Sequence, residues 1–216
     1  MGAPMQTGLV KGEDGRSLCG WSAGTADYVV YHDTEWGRPV VDDVRLYEKL
    51  CLEGFQAGLS WLTILRKREN FRAAFDGFDP RVVADYGTRE VGRLLNDAGI
   101  VRHRGKIEAA IANAAATLRA QETHGSLAAL LWSFEPRRRG RPVPVDLHGI
   151  PARTDESTGL AKELKRLGFR FIGPTTAYAA MQAVGVVDDH LKGCWVRPAC
   201  ESGRRAVEVP RSSAVG

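Results

Sequence analysis

Residues 51–61, CLEGFQAGLSW, set one carboxylate, Glu53, among Cys51, Leu52, Phe55 and Leu59. An acid in such surroundings must find a partner, hold its proton more tightly, or do chemistry. Trp61 lies downstream, and Trp21, Tyr31 and Trp36 lie upstream. Aromatic faces beside a carboxylate suit a flat ligand that carries positive charge or N–H donors. The plainer alternative is an aromatic core in which Glu53 is paired to an arginine, since most tryptophans are core residues.

A second set of residues could hold a metal. His190 and Cys194 stand four apart, the spacing that brings two side chains to one face of a helical turn. Cys19 and His32 bracket an aromatic stretch near the other end of the chain. Two thiolates and two imidazoles make a closed tetrahedral set for one structural zinc ion, which would tie the two ends together. The alternative is four unrelated polar residues. A third candidate is GFRFIGPTTA, residues 168–177, where a Gly-Pro turn opens a helix. Its exposed N–H groups could hold a phosphate, or it could be a plain connection between helices.

The elements that must position these groups are helical. Asp42 and Asp43 suit a helix start, and Leu46, Leu50 and Phe55 follow at helical spacing until Gly54 and Gly58 weaken it. Ser60 caps a second helix, whose face at 66–72 is largely basic. Short helices begin at Asp79-Pro80 and Thr88. The basic run 102–106 precedes a long alanine-rich helix from Ile107 to about Gln121, and a short apolar helix covers 125–133. Thr154 caps a helix running from Asp155 to Gly168, and Thr175 caps one that runs to about Val184. The segment 18–41 has no clean period and reads as irregular, with a turn ending at Gly37. Pro, Gly and Arg dominate 135–156, which reads as a mobile loop. The expected organisation is all-α: a flexible tail over 1–17, one helical domain over 18–196, and a second tail over 197–216.

The totals are compatible with this. The chain has 216 residues, 44% hydrophobic and 26% charged, enough for one sizeable core. The net charge of +4 and pI near 9.0 permit nucleic-acid binding without requiring it. No apolar run is long enough to span a membrane, and the polar, Gly-rich start lacks the apolar core of a signal peptide. A cytoplasmic protein is expected, in which four cysteines do not make a disulfide framework. A monomer is expected too, for want of a heptad or exposed apolar stripe.

Between residues 18 and 195 the sequence resembles the bacterial 3-methyladenine DNA glycosylase I family. The strings that carry the resemblance are CGW (19–21), YHDTEWGRP (31–39), CLEGFQAGLSW (51–61), LRKRENFRAAF (65–75), DAGIVRHRGKI (97–107), WSF (132–134), LKRLGFRFIGPTTAYAAMQAVG (164–185) and DDHLKGC (188–194). The resemblance implies an all-α member of the helix-hairpin-helix superfamily and base-excision repair of alkylated DNA. It implies a zinc site at Cys19, His32, His190 and Cys194. It also implies a base pocket with Glu53 as its acid, Tyr31 and Trp61 as its aromatic walls, and Trp21 and Trp36 close by. The DNA-gripping hairpin falls on 168–176, including Gly168, Phe169, Gly173 and Thr175, and Leu59 matches a residue that fills the gap in the duplex. One departure stands out. Asp188 occupies a place where this family has Asn and the wider superfamily has its catalytic acid. Asp188 is therefore expected either to stabilise the sugar cation or to cap a helix or orient His190, the second being favoured because metal-bound histidines need such a partner.

The implied reaction is hydrolysis of the N-glycosidic bond of 3-methyladenine after the base is flipped from double-stranded DNA. Two rivals carry different expectations. A non-catalytic, zinc-clasped DNA-binding module would not distinguish damaged from normal bases, and a glycosylase for another alkylated base would share the hairpin but not the pocket shape.

Overall fold

The computed structural model describes residues 7–137 and 140–208. Its centre is helix α2, Asp43–Gln56, which Asp42 opens by accepting the Arg45 N–H. Leu46, Tyr47, Leu50, Cys51, Leu52 and Phe55 are all buried, so α2 is wrapped on most sides rather than laid on a surface. It packs against α3 (Trp61–Ala74), α6 (Arg104–His124), α7 (Leu127–Ser133) and α9 (Pro174–Ala183). Full burial of one such Leu or Phe side chain stabilises by about 1.5–3 kcal/mol. The Asp43 carboxylate also reaches out of α2 to accept the Leu127 and Ala128 N–H groups, joining α2 to the start of α7.

Ser60 caps α3 and Thr154 caps α8 (Asp155–Arg166), as their side chains predict. The short α4 (Pro80–Val83) and α5 (Thr88–Asn96) also lie where the sequence puts them. α6 starts earlier than Ile107, because the His103 side chain accepts the Lys106 N–H and caps it. α9 is capped at Gly173, not Thr175: Pro174 occupies the first helical position, where its missing N–H costs nothing. α8 and α9 run into each other through the hairpin 167–173, and this pair is in extensive contact.

Three expectations are corrected. The segment 18–41 is not irregular, since Ala26–Thr34 forms α1, capped by Thr25. Part of the expected N-terminal tail is ordered: β1 (Leu9–Lys11) pairs antiparallel with β2 (Ser17–Cys19), Val10 opposite Leu18. Part of the expected C-terminal tail is ordered too, as α10 (Arg197–Ala206), with Cys200 and Arg204 buried. Residues 1–6 and 209–216, the rest of both expected tails, lie outside the described residues. Among the described residues no helix is long and apolar enough to cross a membrane.

Candidate active site and metal centre

A cleft of about 330 Å³ opens beside the centre of α2. Its walls are Trp21, Tyr28, Tyr31, Trp36 and Trp61, and Glu53 lies at its side with Gln56 and Gln182. Several elements supply the walls. α1 contributes Tyr28 and Tyr31 from one face. The first residue of α3 is Trp61, and the Tyr28 hydroxyl accepts the Leu62 N–H, so α1 also caps α3 (3.1 Å). Trp21 sits edge-on to Trp36, with ring centroids 5.1 Å apart, and Tyr31 leans on Trp61 at 5.5 Å. The remaining wall, Leu147 and Ile150, comes from the segment expected to be a mobile loop. That segment is held at several points. Leu147 N donates to Thr7 O (2.8 Å), Pro144 O accepts Lys192 N (2.7 Å), and Arg141 is paired to Asp189 (2.7 Å).

Glu53 is only 6% exposed at its side chain, and its partner is Lys49, one helical turn earlier. The Lys49 ammonium stands 3.0 Å from Glu53 Oε1, donates to the Tyr31 hydroxyl at 2.7 Å, and lies 3.7 Å from the centroid of the Trp61 ring. Burial works to strip the proton from Lys49, but Glu53 and Tyr31 outweigh it and leave its pKa raised. Burial likewise raises Tyr31, which stays a neutral phenol. Behind Tyr31 and Trp61 lies a small cavity of about 50 Å³ lined by Lys49, Glu35, Glu48, Arg68 and Arg72. There Arg68 pairs with Glu35 and Arg72 with Glu48.

The other candidate residues fall in two groups. Cys19, His32, His190 and Cys194 come together, fully buried, with ligand atoms all within 4.8 Å of one another. Cys194 Sγ is 3.4 Å from His32 Nε2 and 3.6 Å from His190 Nδ1, and Cys19 Sγ is 3.8 Å from His190 Nδ1. Donors on a tetrahedral zinc ion stand about 3.3–3.8 Å apart, the range of these three pairs, so the donor set suits such an ion. The outward nitrogens are also fixed: His32 Nδ1 faces Asp33 Oδ1 at 2.7 Å and His190 Nε2 faces the Trp36 carbonyl at 3.0 Å. The hydrogen bond from Cys19 and those with the two imidazoles pull the Cys194 thiol down to about 2, against its burial, while the same pairing pushes Cys19 up. Gly37, at φ +80°, makes room here, since a Cβ on it would stand 2.9 Å from His190 Nε2.

At the far end of α2, Leu59 projects from the α2–α3 connection, 42% exposed. Gly173 and Thr175 are exposed at the start of α9, whereas Phe169 is buried in the core and Gly168 ends α8 at φ +98°. Asp188 is in neither the cleft nor contact with an imidazole ring. It is fully buried, its Oδ1 accepts the His190 backbone N–H at 3.0 Å, and burial raises its carboxyl to about 6. Its neighbour Asp189 is buried behind the cleft, where it accepts Gln182 Nε2 (2.8 Å) and the Tyr178 hydroxyl (2.6 Å), Gln182 itself lining the cleft. Lys49 and Asp189 are the residues the sequence reading missed. The four-residue spacing of Lys49 and Glu53 on a helix was the available signal for the first, and none was available for the second.

Residues 21–197 match the methyladenine glycosylase family. The chain is 47% identical over 180 residues to DNA-3-methyladenine glycosylase 1 of Escherichia coli, covering 83% of this chain and 96% of that protein. It is 44% identical over 176 residues to DNA-3-methyladenine glycosylase of Haemophilus influenzae, covering 82% and 95%. Among solved structures it superposes on a crystal structure of 3-methyladenine DNA glycosylase I with TM-score 0.78 at 48% identity, covering 84% of this chain and all of that one. It also superposes on 3-methyladenine DNA glycosylase I of Staphylococcus aureus, a structure that describes 3-methyladenine recognition, with TM-score 0.76 at 38% identity, covering 82% and 95%.

Proposed function

Because this chain belongs to the methyladenine glycosylase family, we propose that the aromatic cleft beside Glu53 receives an alkylated adenine turned out of duplex DNA. The chain acts as a DNA-3-methyladenine glycosylase, hydrolysing the N-glycosidic bond of 3-methyladenine in alkylated DNA. The observation that carries the residue assignment is the single buried acid beside a cleft walled by Tyr31 and Trp61.

Methylation at N3 gives the base a positive charge while it is still joined to the sugar. The C1′–N bond is weakened, and the base leaves as a neutral molecule once the bonding pair returns to it. Water supplies the hydroxyl on C1′ and releases a proton. Little acid assistance is needed, so the protein's work is to find, extract and hold the base. Extraction costs a few kcal/mol and is cheapest at a damaged pair. In the cleft the cationic ring stacks between the aromatic side chains, each face contributing about 0.5–2 kcal/mol. Glu53 accepts hydrogen bonds from the adenine edge and balances its charge. Trp21 and Trp36 complete the wall. Leu59 fills the space the base leaves, and the N–H groups at Gly173 and Thr175 hold the backbone phosphate at the start of α9. Gly168 and buried Phe169 shape that hairpin from within.

Cys19, His32, His190 and Cys194 would hold one zinc ion, which supplies structural cross-linking and no chemistry on the base. Asp188 in this reading fixes the backbone beside His190. The test is base release from methylated duplex DNA, followed by chromatography, with wild type beside Glu53→Ala. Free 3-methyladenine from wild type alone supports the assignment. Equal release from both removes Glu53 from the pocket chemistry, and DNA binding without release from either would favour a binding module.

A further inference from the structure

A pocket built to attract a cationic base would be expected to present negative charge and bare aromatic faces. This one has a cation set directly behind its wall. The Lys49 ammonium occupies three of the pocket's attractive features at once: it is 3.0 Å from Glu53 Oε1, 2.7 Å from the Tyr31 hydroxyl and 3.7 Å from the Trp61 ring centroid. It is the one hydrogen-bonding partner of the Glu53 side chain among the described residues. Tyr31 and Trp61 line both the open cleft and the small cavity behind it, whereas Lys49 lines only the cavity and Glu53 only the cleft. Lys49 therefore acts from behind the wall and leaves room for a ligand in front.

Its effect follows from charge. Paired with Glu53, it weakens the carboxylate's pull on a positive base, and from the rear face of the Trp61 ring it draws on the same π electrons that a cation in front would use. It costs an uncharged base nothing of that kind. The carboxylate still accepts hydrogen bonds, held in place by the ion pair. Elsewhere around the cavity Arg68 and Arg72 are matched by Glu35 and Glu48, so no spare anion restores the balance next to Lys49.

We propose that Lys49 is a specificity-determining residue of this pocket, lowering its preference for charged over uncharged alkylated bases so that the base is chosen mainly by shape and hydrogen bonding. The ammonium thereby extends the pocket's range toward neutral lesions. This rests on the cleft being the base pocket.

Calorimetric titration with two free bases of one shape tests it: the 3,9-dimethyladeninium cation and its uncharged 3-deaza isostere. Wild type, Lys49→Met, Lys49→Gln and Lys49→Arg are compared through the ratio of the two affinities, which general loosening of the pocket leaves unmoved. The ratio is expected to shift toward the cation by roughly tenfold in the Met and Gln variants, the scale of one unit charge a few ångströms away in a partly shielded site, and to stay at the wild-type value in the Arg variant. If Lys49→Met does not fold, the Gln variant decides. An unchanged ratio in the neutral variants, or an equal shift in Lys49→Arg, overturns the proposal. Failure of wild type to bind either base would instead overturn the assignment of the cleft.

Discussion

Glu53 and Lys49 sit one turn apart on α2, and each is the other's counter-charge inside the protein. Removing one member strands the other. Glu53→Gln is therefore expected to lower single-turnover excision about a hundredfold, the scale of losing one preorganised hydrogen-bonding group at the reacting base. It should also destabilise the fold by roughly 2–4 kcal/mol, because Lys49 keeps its charge without its partner. The double variant Glu53→Gln/Lys49→Met should recover most of that stability and none of the excision, so denaturant titrations beside excision rates separate the two roles. An unchanged melting temperature in Glu53→Gln alone would contradict the buried pair. Sequence logic reached Glu53 because an acid among Cys51, Leu52 and Phe55 is conspicuous. Lys49 is invisible to the apolar period of α2 and shows only as a charge four residues from Glu53 on one helix face. The partner supposed for Glu53 was an arginine, whereas the short route along one helix face makes it a lysine.

Among the elements, the hairpin between α8 and α9 offers a contrast between two glycines. Gly168 lies at φ +98°, and a Cβ there would stand 2.4 Å from Arg119 Nη2, whose guanidinium also donates to Leu167 O (2.8 Å). Gly168→Ala should cost about 1–2 kcal/mol from the backbone alone, seen as a lowered melting temperature. Gly173 has ordinary φ and open space around the missing Cβ. Gly173→Ala should leave the melting temperature unchanged and weaken duplex binding several-fold, since the methyl group faces the approaching phosphate. A second element-level device is Lys106, buried on α6, whose ammonium donates to the carbonyls of Phe55 (3.0 Å) and Ala57 at the end of α2. Lys106→Met leaves those carbonyls unpaired and should destabilise by about 1–3 kcal/mol. It should also loosen the connection that carries Leu59, read as weaker binding to duplex DNA.

The capped helices were legible: Asp42, Ser60 and Thr154 each do what their side chains advertise. α1 was not, because its Tyr, Val and His residues face different neighbours and give no stripe. α10 was hidden by its charge, although Pro198 in the first turn and the Arg197–Glu201 pair were there to be read. β1 and β2 are too short for any period to show.

At the scale of the whole molecule, the Cys/His cluster joins segments that share no local pattern. Spacing alone left it open, and only the packed chain brings the four donors within 4.8 Å. Stripping the metal with a chelator, or substituting Cys194→Ser, is expected to remove one zinc per chain and several kcal/mol of stability. A protein that lost its metal and kept its melting temperature would rule out the structural role. The same cluster touches the cleft, for Trp36 gives its carbonyl to His190 and its ring to Trp21. Cys194 and His32 are 162 positions apart. During synthesis the N-terminal segment therefore emerges long before the residues that fasten it. Until His190 and Cys194 are made, Trp21 and Trp36 are held through α1 and its contacts with α3, and the Cys/His anchor of the cleft's outer wall comes last. A chain arrested short of His190 would carry α2 with Glu53 and lack the Cys/His anchor of that wall, and its release of a methylated base should fall well below that of a chain extended past Cys194.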